Sequence, residues 1–216
     1  MKNLKLILLT FVLIFSISDS KAQYGYGSGF AGPRTMITLS SGDIASLKGL
    51  TNINIVYDYS KMGVGAFKDE VDYLKKKEDD MKKDPAKFEK FKKSWFDSRK
   101  GRYEPKFETM FNKTIAKLGM VGKNDGTDAA VTLKVATVFT EPGYNIGISK
   151  VPAFVDMECT FMDKDGKELV RYFIKNSIGA SAMGMDFDAG SRISESYAKA
   201  SKMLAKDVMK RMKKVK

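Results

Sequence analysis

LGMVGKNDGTDAAVTLKVATVFTEPG, residues 118–143, contains the elements that decide the fold: a helix end, a polar turn and a strand. Gly119 is a typical helix stop, because glycine adopts the left-handed conformation that ends many helices. The polar residues GKNDGTD then predict a turn, and residues 130–140 predict a strand. Pro142-Gly143 begins a connection that is long for a hairpin. A helix that leads into a strand indicates a domain with both element types.

Two further strands and a long helix follow this stretch. Residues 154–162 predict a second strand, and the turn MDKDGKEL leads into a third strand over residues 169–175. Asp165-Gly166 supplies the positive φ that a tight hairpin turn demands. The chain then ends in a helix over about residues 191–213, with apolar side chains on one face and lysines on the other.

The residues before this stretch predict one strand and three helices. NINIVYDY, residues 52–59, alternates apolar and polar side chains with the period of a half-buried strand. Apolar residues at helical spacing follow over residues 66–81. Asp84-Pro85 and Glu104-Pro105 each begin a further helix, because proline is favoured in the first helical turn.

The region between the first strand and the Glu104 helix is dense in charge. Residues 68–106 contain 14 Lys or Arg and 10 Asp or Glu, a net charge of only +4. Such a mixture is typical of a solvated helical surface and not of a nucleic-acid groove. We therefore expect a charged helical arm, residues 67–103, inserted into the domain, and no nucleic-acid partner.

The first 22 residues have the pattern of a secretory signal, with a basic start and an apolar run. Small residues at the two positions that a signal peptidase recognises predict cleavage before Gln23. The run is too short to span a bilayer, and no lipidation cysteine adjoins the cleavage point. Residues 23–45 predict a flexible leader rich in glycine and aromatic side chains, followed by one domain over residues 46–216. We expect a periplasmic or secreted protein without a transmembrane segment.

Composition argues against several reaction classes. The chain contains no histidine, which removes Ser-His and Cys-His nucleophilic catalysis and the commonest zinc ligand. Its single cysteine, Cys159, cannot form an internal disulfide. Asp163 and Asp165 resemble part of a calcium loop, but the later ligands do not follow, and the hairpin turn explains them better. We predict a protein that is not an enzyme, with no catalytic residue, no metal and no cofactor.

The positive charge of the chain is concentrated in part on the terminal helix. The full sequence carries a formal net charge of +12. The lysines opposite the apolar stripe of the helix are Lys199, Lys202, Lys206, Lys210 and Lys213. A basic exported protein is attracted to anionic surfaces by a field that salt screens, so we expect weak electrostatic attraction of this kind.

The order of these elements predicts an α/β (α+β) fold with a single mixed, mostly antiparallel sheet of about four strands and helices packed against it. The three later strands should pair antiparallel, and the first strand should reach the sheet by a crossover. Residues 118–143 and the helix ESYAKASKMLAKDVMKRM resemble small periplasmic α/β domains, namely the TolB amino-terminal domain, the CsgG amino-terminal region and the LpoB lipoprotein. FTEPGYNIG, AMGMDFDAG and SYAKASKMLAKD also resemble a family of uncharacterised exported bacterial proteins.

The resemblance implies a cell-envelope adaptor and supplies no catalytic residues. We therefore expect a non-enzymatic binding or interaction protein of the cell envelope, with an envelope protein or a glycan as its partner. Two glycine-rich stretches, FTEPGYNIG and MGMDFDAG, form the predicted contact patch if they meet in space. The candidate partner-binding residues are Glu141, Pro142, Gly143, Tyr144, Asn145, Met183, Asp186, Phe187 and Asp188.

Two alternatives stay open on the sequence. A hydrolase of envelope polysaccharide would use paired carboxylates, with Asp186 and Asp188 or Glu141 as candidates. An electrostatic binder of anionic lipid or lipopolysaccharide would use the lysine row and the charged arm. The aspartates also have a structural explanation, because Asp188 or Ser191 is suitably placed to cap the terminal helix.

Overall fold

A seven-stranded mixed sheet forms the centre of the fold in a computed structural model of the chain, which describes residues 34–126, 128–145, 150–179 and 188–215. The strands are β1 (Met36–Gly42), β2 (Asn52–Asp58), β3 (Gly63–Val64), β4 (Val121–Lys123), β5 (Val131–Glu141), β6 (Tyr144–Asn145), β7 (Lys150–Val151), β8 (Phe154–Asp163) and β9 (Glu168–Ile178). The α-helices are α1 (Glu70–Asp80), α2 (Pro85–Ser98), α3 (Glu104–Ile115) and α4 (Ala189–Met212). No helix within the described residues combines the length and the hydropathy that a membrane crossing requires.

The strand order in the sheet is β1-β9-β8-β5-β2-β4, and β3 pairs with the far end of β5. The predicted meander is confirmed, because β5 pairs antiparallel with β8 and β8 pairs antiparallel with β9. The predicted crossover is confirmed as well, since β2 pairs parallel with β5. The prediction of about four strands was too low. β3 and β4 are two and three residues long, and such short segments show no periodicity in the sequence.

The stretch that the sequence assigned to a flexible leader, residues 23–45, includes an ordered strand at its end. Residues 36–42 form β1 and pair antiparallel with β9. A 3₁₀-helix, Ile44–Leu47, follows, and the Leu47 side chain is buried in the core. The prediction was wrong here because the stretch MITLSSG has serines and a glycine that weaken the strand signal, while Ile37 and Leu39 still alternate toward the core.

Helices α3 and α4 cover one face of the sheet. Both pack against each other, and α4 also contacts β8 and β9. The alternating residues Leu133 and Val135 of β5 and Tyr172 of β9 are fully buried on the covered face. The residues between them, such as Lys134, are only partly buried, which is the alternation expected of a sheet with one packed face.

The structure confirms several helix boundaries and turns that the sequence predicted. The Asp84 carboxylate accepts a hydrogen bond from the Lys87 amide at the start of α2. Gly119 adopts a left-handed φ of 73° after the last turn that follows α3. In the β8-β9 turn, Gly166 has a φ of 80° and the Asp163 carboxylate accepts hydrogen bonds from two backbone amides of the turn. Asp163 is therefore engaged in the turn, and no group of three or more His, Cys, Asp or Glu among the described residues is arranged to hold a metal ion.

The charged arm consists of α1, α2 and a π-helical turn, Arg99–Tyr103, with a turn at residues 81–84 between α1 and α2. An aromatic cluster joins its two helices, with the rings of Tyr73 and Trp95 5.1 Å apart. The Glu70 carboxylate accepts a hydrogen bond of 2.5 Å from the Trp95 indole and forms an ion pair with Arg99. The arm is thus a packed structure with a solvated outer face.

Candidate functional site

The edge of the sheet at the carboxyl ends of β2, β5 and β9 is the place where the chain assembles its loops and helix starts. β2 and β5 are parallel, and two antiparallel steps through β8 make β9 parallel to β5. β3 and then the arm follow β2, and α4 follows β9. Carboxyl ends of parallel strands are where α/β proteins commonly form binding sites, because the loops that follow the strands converge there.

Arg192 in the first turn of α4 connects this helix to the loop after β5. Its guanidinium donates hydrogen bonds to the backbone carbonyls of Pro142 at 3.3 Å and Gly143 at 3.1 Å. The Arg192 side chain is itself buried. Both hydrogen bonds come from the same guanidinium nitrogen, Nη2, which lies between the two neighbouring carbonyls. The start of α4 and the loop after β5 therefore form one continuous surface.

Gly143 gives this loop its shape. Its φ is 67°, and a Cβ atom at this position would lie 2.6 Å from the Ala153 amide nitrogen and 2.6 Å from the Val151 carbonyl oxygen. Only glycine fits this close approach of two backbone segments without a shift. The Gly143 amide donates a 2.9 Å hydrogen bond to the Glu141 carboxylate. The hairpin β6-β7 extends from this point.

Glu141 is a half-buried carboxyl group at the end of β5. Burial raises its pKa, and the hydrogen bond from the Gly143 amide opposes that rise. The group favours its protonated form more than an exposed glutamate does. Glu141 is thus a hydrogen-bonded member of the loop, placed beside the turn that the sequence singled out.

Asp188 caps α4 and also binds the arm. Its carboxylate accepts a 3.2 Å hydrogen bond from the Ser191 amide and a 2.5 Å hydrogen bond from Arg102 in the π-helical turn. Although partial burial opposes the effect, these hydrogen bonds hold the pKa of Asp188 below its usual value. Of the two predicted caps of the terminal helix, Asp188 and Ser191, the structure has Asp188. Asp188 is engaged as a structural anion between the helix start and the arm.

A layer of aromatic hydroxyls lies beneath the helix starts. The Tyr103 and Tyr197 rings stack with centroids 5.1 Å apart, and the Tyr197 hydroxyl lies 2.5 Å from the Thr137 hydroxyl. Burial raises the pKa of Tyr103 to about 12. Both tyrosines therefore stay neutral in the physiological range. Their stacking joins the π-helical turn of the arm to α4 and fixes the orientation of the helix start.

A buried carboxyl group, Glu104, lies at the start of α3 on the same side of the domain. It accepts hydrogen bonds from the Tyr59 hydroxyl at 3.3 Å and the Asn124 side-chain amide at 3.2 Å. Burial raises its pKa, and the hydrogen bond from Tyr59 partly offsets that effect. Every described oxygen of this carboxyl has a donor, so the geometry describes a satisfied structural group.

The structure places the predicted site residues unevenly. Glu141, Pro142, Gly143 and Tyr144 lie at the carboxyl-end edge, and 43% of the Tyr144 surface is exposed. Asn145 is described only by its backbone, in β6. Met183, Asp186 and Phe187 lie outside the described residues. The described ends of FTEPGYNIG and MGMDFDAG lie at the same edge, because Arg192, two residues after the second stretch, binds the first.

Sequence reasoning missed Arg192 and Arg102, which hold this edge together. One signal could have indicated Arg192: a cation in the first turn of a helix opposes the helix dipole, so it needs a specific partner. Arg102 gives no comparable signal, since it is one of many basic residues in the arm. Its partner, Asp188, lies 86 positions away in the sequence.

A hollow and several charged side chains lie at this edge. A hollow of about 410 Å³ lies beside the Arg102-Asp188 pair and is lined by Lys90, Lys93, Ser94, Asp97, Ser98, Gly101 and Arg102. Asp188 is engaged by Arg102 and by the helix start, and it shares no described contact with Glu141. The described residues thus offer backbone, aromatic and charged contacts.

Comparisons with known proteins give little to add to this geometry. No family model matches the chain, and no curated protein matches it. Among solved structures, the PelC dodecamer from Paraburkholderia phytofirmans is similar at 13% sequence identity and a TM-score of 0.35, over 78% of this chain and 98% of that chain. A variant of the same dodecamer is similar at 12% identity and the same TM-score.

Proposed function

We propose that this protein is a non-enzymatic interaction protein of the bacterial cell envelope, exported to the periplasm or beyond, and that it binds a protein or glycan partner. The binding surface is the carboxyl-end edge of the sheet, where the loop after β5 meets the first turn of α4. The secretory-signal pattern supports export. The two glycine-rich stretches support the choice of this surface.

One observation carries the choice of surface. Arg192 is buried and bonded to the carbonyls of Pro142 and Gly143, so two segments far apart in the sequence are held in one arrangement. Tyr144 follows directly and stays partly exposed. A rigid backbone that presents an amphipathic aromatic side chain is the usual anchor of a protein interface, because tyrosine buries a large area at a low entropic cost.

A site-specific crosslinking experiment tests this proposal. A photoreactive phenylalanine analogue replaces Tyr144, and the variant is expressed in the bacterium that encodes the protein. The cell envelope is then irradiated. We expect a crosslinked species of discrete size from this position. A linear or globular partner that docks on the edge must come within reach of that side chain.

The matched control uses Val121, which lies in β4 at the opposite end of the sheet. The exposed fraction of Val121, 38%, is close to the 43% of Tyr144, so the two probes have comparable access to solvent. The same analogue at Val121 should give no crosslinked species. A product of equal yield from both positions, or from neither, would count against the proposed surface.

A further inference from the structure

The outer face of α4 carries a continuous row of cations, here called the lysine face: Lys199, Lys202, Lys206, Lys210 and Lys213. All five residues are exposed. Their spacing of three or four residues places them on one side of the helix, one above another. At 1.5 Å per residue the row is about 21 Å long, and adjacent lysines rise by about 4.5 to 6 Å.

The lysine face is not compensated by acidic side chains. None of its five lysines belongs to an ion pair with a described residue. The acidic residues of α4 are engaged elsewhere: Glu195 pairs with Lys106 of α3 at 2.8 Å, and Asp207 pairs with Arg211 at 2.5 Å. Like charges at this spacing repel, so the row destabilises the isolated helix slightly.

Other helices of the same chain show the opposite arrangement. In α1, Lys76 pairs with Asp80, and in α2, Lys93 pairs with Asp97, each four residues apart. Two lysines of the arm thus have an acidic partner four residues away, whereas none of the five lysines of the lysine face has one among the described residues. An uncompensated row attracts anions in proportion to its local charge, and salt screens that attraction.

The side chains around the lysine face favour some anionic partners over others. A helix that binds a membrane surface inserts its apolar face into the lipid, whereas the apolar residues of α4 are buried against the sheet. The exposed large hydrophobic residues among those described all lie outside α4. Binding of single-stranded nucleic acid uses aromatic platforms, and the one aromatic residue of α4, Tyr197, is buried. The remaining class of anionic partner is a linear polymer with regularly spaced anions.

We infer that the lysine face binds an acidic polysaccharide, a linear glycan with carboxylate groups at intervals of about one sugar. The rise between adjacent lysines is comparable to the length of one sugar unit, so successive carboxylates can each approach an ammonium group. Lysine acts here as a point charge, which tolerates variation in the sugar. This surface is separate from the carboxyl-end edge and stands whether or not the proposed partner is found there.

Binding to polygalacturonate, which has one carboxylate per sugar, tests the inference. The first variant replaces all five lysines of the lysine face by glutamine. The second replaces five exposed lysines of the arm by glutamine: Lys75, Lys82, Lys83, Lys87 and Lys90. Both variants lose the same net charge, and none of the replaced side chains has a described ion pair. Glutamine is a good helix former, so both should fold.

We expect the lysine-face variant to bind polygalacturonate at least about tenfold more weakly at low salt, and the arm variant to lose less than about threefold. The affinity of the unaltered protein should fall steeply as salt rises, and that dependence should be shallower for the lysine-face variant. Equal losses in the two variants would show that net charge alone acts and would overturn the inference. Binding to phosphatidylglycerol vesicles without binding to polygalacturonate would overturn it in favour of a membrane.

Discussion

The first turn of α4 and the lysine face of the same helix use basic residues in opposite ways. Arg192 in the first turn is buried and bonded to two backbone carbonyls, and Asp188 beside it binds Arg102. The five lysines of the lysine face are exposed and have no ion-pair partner among the described residues. Arg192 builds the structure, because burial makes its hydrogen bonds costly to lose. The lysine face contributes to long-range attraction and little to stability.

The number of charges on a basic helix does not indicate the role of each charge. The burial of each cation and its hydrogen-bond or ion-pair partners indicate that role. A cation that is buried must have specific acceptors, so its removal should lower the free energy of unfolding. An exposed cation next to others should be removable at no cost.

The largest effect is expected at Tyr197, on which the first turn rests. Tyr197→Ala should lower the free energy of unfolding by about 3 to 5 kcal/mol, because it removes a fully buried ring that stacks on Tyr103. Tyr197→Phe keeps the ring and loses only the contact with Thr137, so we expect a loss of about 1 kcal/mol. Urea unfolding measures both. Equal losses in the two variants would contradict the packing role of the ring.

Arg192→Met compared with Lys199→Met tests the contrast within one helix. Arg192→Met should cost about 1 to 3 kcal/mol, since it leaves the carbonyls of Pro142 and Gly143 without this donor. Lys199→Met should change stability by less than about 0.5 kcal/mol. Thermal unfolding followed by circular dichroism measures both. If the two variants were equally stable, the division of α4 into a structural turn and an exposed face would fail.

Asp188→Ala should have an intermediate effect, a loss of about 1 kcal/mol. The variant removes the side chain that caps α4 and accepts from the Ser191 amide. Asp188→Asn keeps a capping oxygen and removes the charge, so it should retain most of the stability and lose the ion pair with Arg102, which is partly exposed and worth little. Denaturant midpoints of the two variants distinguish capping from charge. A larger loss in Asp188→Asn than in Asp188→Ala would contradict this assignment.

The smallest effect is a pH dependence at Glu141. Its pKa is raised in the folded protein by burial, so the folded state holds the proton more tightly than the unfolded chain does. The stability that this group contributes is therefore fully present below the unfolded pKa of about 4.5 and declines as the pH rises through the folded value. Glu141→Gln should be more stable by about 0.5 kcal/mol at pH 7, with no difference below pH 4. A variant that is less stable than the unaltered protein at pH 7 would contradict the raised pKa of Glu141.

Much of the fold could be predicted from the sequence, because local chemistry sets its longest elements. Asp84-Pro85, Glu104-Pro105, Gly119 and Asp165-Gly166 each mark a helix or turn boundary by a backbone preference that acts within a few residues. β3 and β4 could not be predicted, since two or three residues carry no periodic pattern. Pairing with strands distant in the sequence makes them strands.

The candidate site shows the same division. The sequence indicated Glu141 to Tyr144 and Asp188, because proline, glycine and aspartate clusters mark turns and helix starts. It did not indicate that Arg192 binds the loop or that Arg102 binds Asp188, since these contacts depend on how β5, β9 and the arm come together at one edge of the sheet. Local chemistry thus predicts the parts, and tertiary contacts decide which parts meet.

Crosslinking from Tyr144 in two backgrounds tests the central claim most directly. The claim is that the loop after β5, held by Arg192, is the surface that binds an envelope partner. The photoreactive analogue at Tyr144 is placed in the unaltered chain, in the Arg192→Met variant and in the variant that lacks all five lysines of the lysine face. The account predicts a discrete crosslinked species in the unaltered chain, its loss in Arg192→Met and its retention in the lysine-face variant. No crosslinked species in the unaltered chain, or equal yield in Arg192→Met, would contradict it.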